Sequence, residues 1–244
     1  MPAMSVSAPL PNITLSPIGV IESDFPDKFG VPRQPGLAPS ARATLRLLPP
    51  YDDPLAVRGL EAFSHLWLTF LFHQSPERWT PLVRPPRLGG NRKVGVFASR
   101  STHRPNRLGL SLVELLAVDL GDGVRLTLAG ADLVSGTPVL DIKPYLPWAE
   151  AHPEARGGFA PEAPPRLAVR FEAPAEAALA VREDAASLRA LIIEVLAQDP
   201  RPAYRRGGEA RTYGVRLRDV DVRFRVLTDE AGSPRLEVVE IAAS

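Results

Sequence analysis

The chain has no cysteine among its 244 residues, and that absence removes disulfides, thiolate zinc sites and a cysteine nucleophile together. Its four histidines, His65, His73, His103 and His152, are scattered without HExxH-like spacing, so no dedicated metal site is expected. No apolar run approaches the roughly eighteen residues that span a bilayer. The amino-terminal MPAMSVSAPLPN also lacks the charged and apolar regions of a signal peptide. The expected setting is soluble and cytoplasmic, with no membrane partner. No GxGxxG follows a strand and no GxSxG occurs, which leaves a Rossmann cofactor site and a serine hydrolase without support. The formal net charge of +1 excludes bulk packaging of nucleic acid, so any polyanion must meet local patches.

One such patch is present. From Arg84 to Arg107 seven basic residues (Arg84, Arg87, Arg92, Lys93, Arg100, Arg104, Arg107) occur with no acidic one. In their midst Val94-Gly95-Val96-Phe97-Ala98 has the composition of a buried strand, flanked by turn chemistry at Gly89-Gly90-Asn91 and Arg104-Pro105-Asn106-Arg107. Pro105 and Asn106 favour a fixed loop that aims its arginines. Composition alone admits a solvated basic rim or a phosphate site.

Taken in order, residues 1–12 are Pro-, Ser- and Ala-rich and are expected to be a disordered tail. Ile13 to Ile21 reads as a strand interrupted by Pro17 and Gly19. The following FPDKFGVPRQPGL, Phe25 to Leu37, is denied regular structure by its prolines and glycines; it is a connecting loop or a stiffened ligand loop presenting Arg33 and Gln34. Further strands are expected at Ala41–Leu48, His65–His73, Leu108–Val118, Val124–Leu128 and Pro138–Ile142, with a short helical segment at Leu60–Phe63 and a hairpin turn at Gly121-Asp122-Gly123. About six or seven strands with little helix predict a mainly β fold, a β-barrel or strongly bent sheet.

Asp141, Lys143 and Tyr145 recur at period two, which puts all three on one face of an extended segment. They are an exposed structural pair with a neighbouring tyrosine, or a general base with a cation and a hydroxyl donor. His73 and Gln74 stand at a strand end, where both structural and ligand-binding histidines occur. The stretch from Ala151 to Pro165 is a boundary, giving a first domain over 13–152 and a small α+β domain over 166–244. In the second, Asp184 is placed to cap a helix to Gln198 whose Leu188, Leu191, Ile192, Val195 and Leu196 form a core stripe. A strand from Arg166 to Phe171 precedes it, and strands Tyr213–Leu217, Val220–Leu227 and Leu236–Ile241 follow. The loop between helix and strands interleaves Arg201, Arg205, Arg206 and Arg211 with Tyr204, a composition that suits either a solubilising loop or phosphate gripping with base stacking.

IGVIESDFPDKFGVPRQPGL, RGLEAFSHLWLTFLFHQ, VRPPRLGGNRKVGVFASRSTHRPNRLGLSLVEL, DLVSGTPVLDIKPYLPWAE and DPRPAY together closely resemble the tRNA-methyltransferase O family, whose amino-terminal module is the TsaA-like domain. The resemblance spans both domains in one order, from about Ile13 to the last strand. It implies an S-adenosylmethionine-dependent, generally dimeric enzyme that methylates N6 of threonylcarbamoyladenosine beside the anticodon of tRNA, with a β-barrel as the donor-binding domain. Carried over position by position, it places the methyl donor near Pro32, Arg33, Gln34, His73, Gln74, Arg100, Leu110, Asp132, Leu133, Val134 and Ser135. The chain departs from the family pattern at His103, at Arg107-Leu108 and at Ser135.

The N6 of a ureido-substituted adenine is a poor nucleophile, so Asp141 is expected as base, with Lys143 or Tyr145 as donor to the carbamoyl oxygen. Arg87, Arg92, Lys93, Arg104, Arg201, Tyr204, Arg205 and Arg206 are expected to contact tRNA. Two alternatives stand beside this reading: a non-catalytic RNA-binding module, and a methyltransferase for another acceptor on the same barrel.

Overall fold

The computed structural model describes residues 11–201, 211–228 and 233–244. The first domain is built on strands β1 (Gly19–Ser23), β2 (Arg42–Leu47), β3 (His65–Leu71), β6 (Leu108–Asp119), β7 (Arg125–Ala129) and β8 (Pro138–Pro144), with the two-residue strands β4 (Leu82–Val83) and β5 (Val94–Gly95) between β3 and β6. The six long strands close into a barrel in the order β1-β2-β7-β6-β3-β8, with every neighbouring pair antiparallel. Alternation fixes which side chains fill it: Ala43, Leu45 and Leu47 of β2 and Leu66, Leu68 and Phe70 of β3 point inward, and their neighbours point out. The twelve-residue β6 pairs with β3 at its start and β7 at its end, aided by a bulge between Leu115 and Ala117. Gly109 in β6 leaves room for the Phe70 ring, whose Cζ is 2.3 Å from where a Cβ would sit.

Two expected elements differ. The first strand begins at Gly19 rather than Ile13, because Pro17 has no amide hydrogen for a ladder. Val94–Ala98 is no core strand: β5 pairs only with β4, and the chain then turns through a 3-10 segment in which Val96 is buried and Phe97 is 74% exposed. A short apolar run does not by itself specify the barrel, and this one lies in an arm outside it.

After α1 (Pro147–Glu150), the second domain comprises β9 (Ala168–Phe171), α2 (Ala173–Ala180), α3 (Ala185–Leu196), β10 (Tyr213–Leu217), β11 (Val220–Thr228) and β12 (Pro234–Ala243). Its sheet runs β10-β11-β12-β9, with β9 parallel to β12. Leu188, Leu191, Ile192, Val195 and Leu196 of α3 are all buried, as their helical spacing requires. Asp184 stands at the N-cap position without accepting a capping bond; its carboxylate is bound instead by Arg182 at 2.6 Å and Arg218 at 2.8 Å.

The segment from Phe25 to Ala41 belongs to the first half in sequence and to the second core in packing. Phe25, Ala38 and Ala41 are buried in the α3 and β10–β12 cluster, and Phe29 and Val31 pack against it. Gly30, at φ +97, lets this strap lie against Val215, whose Cγ2 is 2.3 Å from where a Cβ would project. Polar contacts pin the strap as well. The Ser40 amide and hydroxyl donate to Glu194 at 2.8 and 2.9 Å, and the Arg218 amide donates to the Asp24 carbonyl at 2.9 Å.

Candidate functional site

The barrel registers put Ser23, Arg42, Leu71, Leu108, Ala129 and Pro138 at one rim. Apart from Leu110, which lies within β6, the segments in which the family resemblance places the methyl donor connect to that rim. The loop after β7 is fastened to the end of β1: the Ser23 hydroxyl donates to Leu133 O at 2.7 Å, the Ser135 amide to Phe25 O at 2.8 Å, and the Gly136 amide to Ile21 O at 2.7 Å. Asp132 is thereby brought to Ser111, a buried serine at an inward-facing position of β6, which donates to its Oδ1 at 2.5 Å. Burial pushes the Asp132 carboxyl above its ordinary range, while the Ser111 hydroxyl, a backbone donor and the nearby Arg100 pull it back. Arg100 reaches the same place, donating to Leu110 O at 3.3 Å, and the Leu110 side chain is half-exposed beside it.

His73 and Gln74 form a second group. His73 Nε2 lies 3.9 Å from the Cβ position of Gly136, whose φ of +83 keeps a side chain out. Desolvation lowers the His73 pKa, the neighbouring Lys28 charge lowers it further, and a backbone contact at Leu71 opposes both, so the imidazole favours its neutral form. Lys28 Nζ donates to the Gln74 carbonyl. Pro32 is buried and Arg33 is exposed in the strap, where both line a cavity of about 200 Å³ that also contains Lys28, Gly30, Val195 and Gln198. Gln34 adjoins Gly36, whose amide donates to Gly130 O at 2.8 Å, so the strap and the Asp132 loop are joined directly.

Asp141 and Lys143 are exposed on the outer barrel face, and Tyr145 follows them on that face beyond the end of β8. Asp141 stands opposite Thr69, itself opposite Leu110, and a bulge at this register re-aims the strand. Lys143 stands opposite Trp67. Tyr145 packs edge-on against Trp67 and His65, with ring centroids 6.2 and 6.3 Å away. The three share the face expected of them, yet only Asp141 lies in the Leu110 row.

The basic surface divides. Arg92 and Lys93 are exposed in the β4–β5 arm, and Arg87 is exposed with one nitrogen on Glu162 O at 2.6 Å. Arg104 is partly buried, donates to Val96 O and Ser99 O, and lies 5.9 Å from the Phe97 ring centre, which orders the loop. The left-handed residue of that turn is Arg107, at φ 51, rather than Asn106. Arg201 corrects the sequence reading: it is 7% exposed, and its guanidinium is held by both oxygens of Asp199 at 2.8 and 3.1 Å, so it is an internal strut. Tyr204, Arg205 and Arg206 lie outside the described residues.

Sequence reasoning passed over Ser111, Ser23 and Lys28. A serine at an inward position of LGLSLVE is the legible signal for the first; Lys28 gave none beyond its charge.

The class is thus a closed antiparallel β-barrel protein with a polar cluster on one rim and an exposed cationic arm. The chain belongs to the tRNA-methyltransferase O family: the family's N-terminal domain matches residues 20–151 and its C-terminal domain residues 164–244. It is 57% identical over 214 residues, 86% of this chain and 91% of the other, to the tRNA (adenine(37)-N6)-methyltransferase of Escherichia coli K12. It is 40% identical over 133 residues to a probable S-adenosyl-L-methionine-binding protein of Methanothermobacter thermautotrophicus, covering 54% of this chain and 90% of that one. The crystal structure of TrmO from Pseudomonas aeruginosa matches with a TM-score of 0.77 at 45% identity, covering 97% of this chain and 99% of that one.

Proposed function

We propose that this chain transfers a methyl group from S-adenosylmethionine to N6 of threonylcarbamoyladenosine at position 37 of tRNA, the nucleotide position carried in the E. coli relative's name. The observation that carries this reading is the rim cluster around Asp132, His73 and the Pro32–Gln34 strap, in a chain 57% identical to that relative. The rim residues suit the donor. Asp132 offers a carboxylate to hydroxyl or ammonium groups, Leu110 offers an apolar flank, and Gly136 keeps space open beside His73. Pro32, Arg33, Gln34, His73, Gln74, Arg100, Leu110 and the Asp132–Ser135 segment would hold it.

Bound there, S-adenosylmethionine supplies an electrophilic methyl carbon. What the protein adds is alignment and proton handling. Asp141, in the Leu110 row, accepts the proton leaving N6. Lys143, next on the same face, stabilises charge on the carbamoyl oxygen. Lys143 is favoured over Tyr145, whose ring is packed against His65 and Trp67 about 13 Å along the chain from Asp141.

Arg87, Arg92 and Lys93 approach the RNA phosphates from the β4–β5 arm, supported by their exposure and by the absence of acidic residues there. We further infer a cytoplasmic homodimer. Leu110, Leu116, Leu146 and Trp148, the last 85% exposed, leave apolar surface on and beside the outer face of β3, β6 and β8. Among the described residues no helix is long and apolar enough to cross a membrane. Methylation of tRNA bearing threonylcarbamoyladenosine by the purified protein tests the reaction, and light scattering tests the dimer.

A further inference from the structure

We propose that Phe97, on the arm outside the barrel, is a stacking platform for an unpaired anticodon-loop base that flanks the methyl acceptor. This rests on the reading of the arm as the RNA-facing surface, and adds recognition of a base to recognition of phosphate.

Phe97 is the middle residue of the 3-10 segment Val96–Ala98 and is 74% exposed, while Val96 beside it is buried. The backbone that carries the ring is held on several sides. The Val96 amide donates to Pro81 O at 2.9 Å, and the Ser99 amide and hydroxyl donate back to Val96 O at 3.2 and 2.8 Å. Arg104 Cζ lies 5.9 Å from the ring centre, and its guanidinium is anchored on Val96 O and Ser99 O at 3.4 and 2.8 Å. Those acceptors are neutral, so the arginine keeps its charge beside the ring. A ring this exposed contributes little burial to the fold, and one set on so fixed a turn loses little entropy when a ligand covers it.

Charge indicates the occupant. Arg92 and Lys93 are exposed just ahead of Phe97 on the same arm, Arg104 lies beside the ring, and no acidic residue occurs between Arg84 and Arg107. An apolar protein surface laid on Phe97 would desolvate these cations without neutralising them. A nucleotide brings a phosphate for the cations and a π face for the ring. Arg100, three residues after Phe97, sets the reach, because its Nη2 donates to Leu110 O at 3.3 Å. Leu110 and Asp141 stand on either side of Thr69. At most ~11 Å of backbone and one arginine side chain therefore separate the Phe97 backbone from the Leu110 row, a gap that neighbouring nucleotides of one loop bridge. An unpaired loop offers splayed bases for stacking, and a duplex does not.

Phe97→Ala, Phe97→Leu and Phe97→Tyr are compared with the wild type in binding and methylating an anticodon stem-loop that bears threonylcarbamoyladenosine, and versions of it with one loop base at a time removed to leave an abasic sugar. The side chain is exposed, so all three variants should melt with the wild type. Phe97→Ala should weaken stem-loop binding at least about fivefold. Its salt slope should not change, since no phosphate contact is lost. Phe97→Leu should lose nearly as much, and Phe97→Tyr should bind within about twofold of wild type. One abasic position beside the acceptor should cost the wild type what Phe97→Ala costs, and cost that variant nothing further. Donor affinity by calorimetry and particle mass by light scattering should stay as in the wild type. Wild-type affinity in Phe97→Leu, or abasic losses that add in full to Phe97→Ala at every position, would overturn the proposal. So would a weaker donor, which gives the ring to the donor's adenine, or a lower mass, which gives it to a second copy of the chain. A wild type that does not bind the stem-loop would sink the reading of the arm and this proposal together. Binding with the coupling of ring and base intact, yet without methyl transfer, would sink the methyl-transfer reading and leave the platform supported.

Discussion

Ser111 donates its hydroxyl to Asp132 Oδ1 at 2.5 Å, joining a buried strand position to the loop after β7. Burial, the largest influence on that carboxyl, raises its pKa. A carboxyl with a raised folded-state pKa contributes stability below its unfolded value, here near 3.8, and loses that contribution as pH rises through the folded value. Wherever the carboxyl is ionised in the folded state, its charge is therefore a cost that serves binding. Asp132→Asn should raise the Tm at pH 7 by about 2–4 °C, the gain shrinking toward pH 4, while S-adenosylmethionine affinity falls at least about tenfold. Calorimetric melts across pH and donor titration check both. A lower Tm at pH 7 would contradict the assignment.

Arg218 ties the strap to the second domain, with Nε on Asp24 at 3.1 Å and a terminal nitrogen on Asp184 at 2.8 Å, all from a left-handed backbone at φ 53. Arg218→Ala leaves Asp24 with the Arg42 amide and should cost about 1–3 kcal/mol. Arg218→Gly loses the same ion pairs but suits the backbone, and should be less damaging by about 1 kcal/mol. Denaturant melts of the two variants decide; equal losses would show that the backbone strain is absent.

Asp141→Asn tests the base. Turnover should drop about a hundredfold or more, with donor affinity and RNA affinity within about twofold of wild type. An active variant with an unchanged pH–rate profile would remove Asp141 from the chemistry.

The exposed arm and the buried strut predict opposite behaviour for two sets of cations. Replacing Arg92 and Lys93 by Ala should weaken tRNA binding and reduce the salt slope by about one unit for each lost phosphate contact. Arg201→Ala should lower the Tm and leave the salt slope of the folded fraction unchanged, because its guanidinium belongs to Asp199. A reduced slope in Arg201→Ala would restore it to the RNA surface.

Much of the barrel was legible because its strands alternate strictly: RATLRL and HLWLTFL bury every second residue. Val94–Ala98 was misread because an apolar run says nothing about which sheet it joins. The strap was legible as stiff, from its prolines and glycines, but its membership of the second core was not. Phe25 and Ala38 meet α3 and β10–β12 only through long-range packing, which no local pattern encodes. Among the candidate site residues, a strand end pointed to His73 and Gln74, and period-two spacing pointed to Asp141. Asp132 and Leu110 came through family resemblance alone, and Arg201 misled because a composition rich in arginine does not show which guanidinium an internal carboxylate has taken.

The central claim is tested most directly by nucleoside mass spectrometry of tRNA bearing threonylcarbamoyladenosine after incubation with the purified protein and S-adenosylmethionine, with the unmodified transcript as control. The account predicts one added methyl on that nucleoside and none on the transcript. Donor binding without methylation of either RNA would contradict it and direct the search to another acceptor.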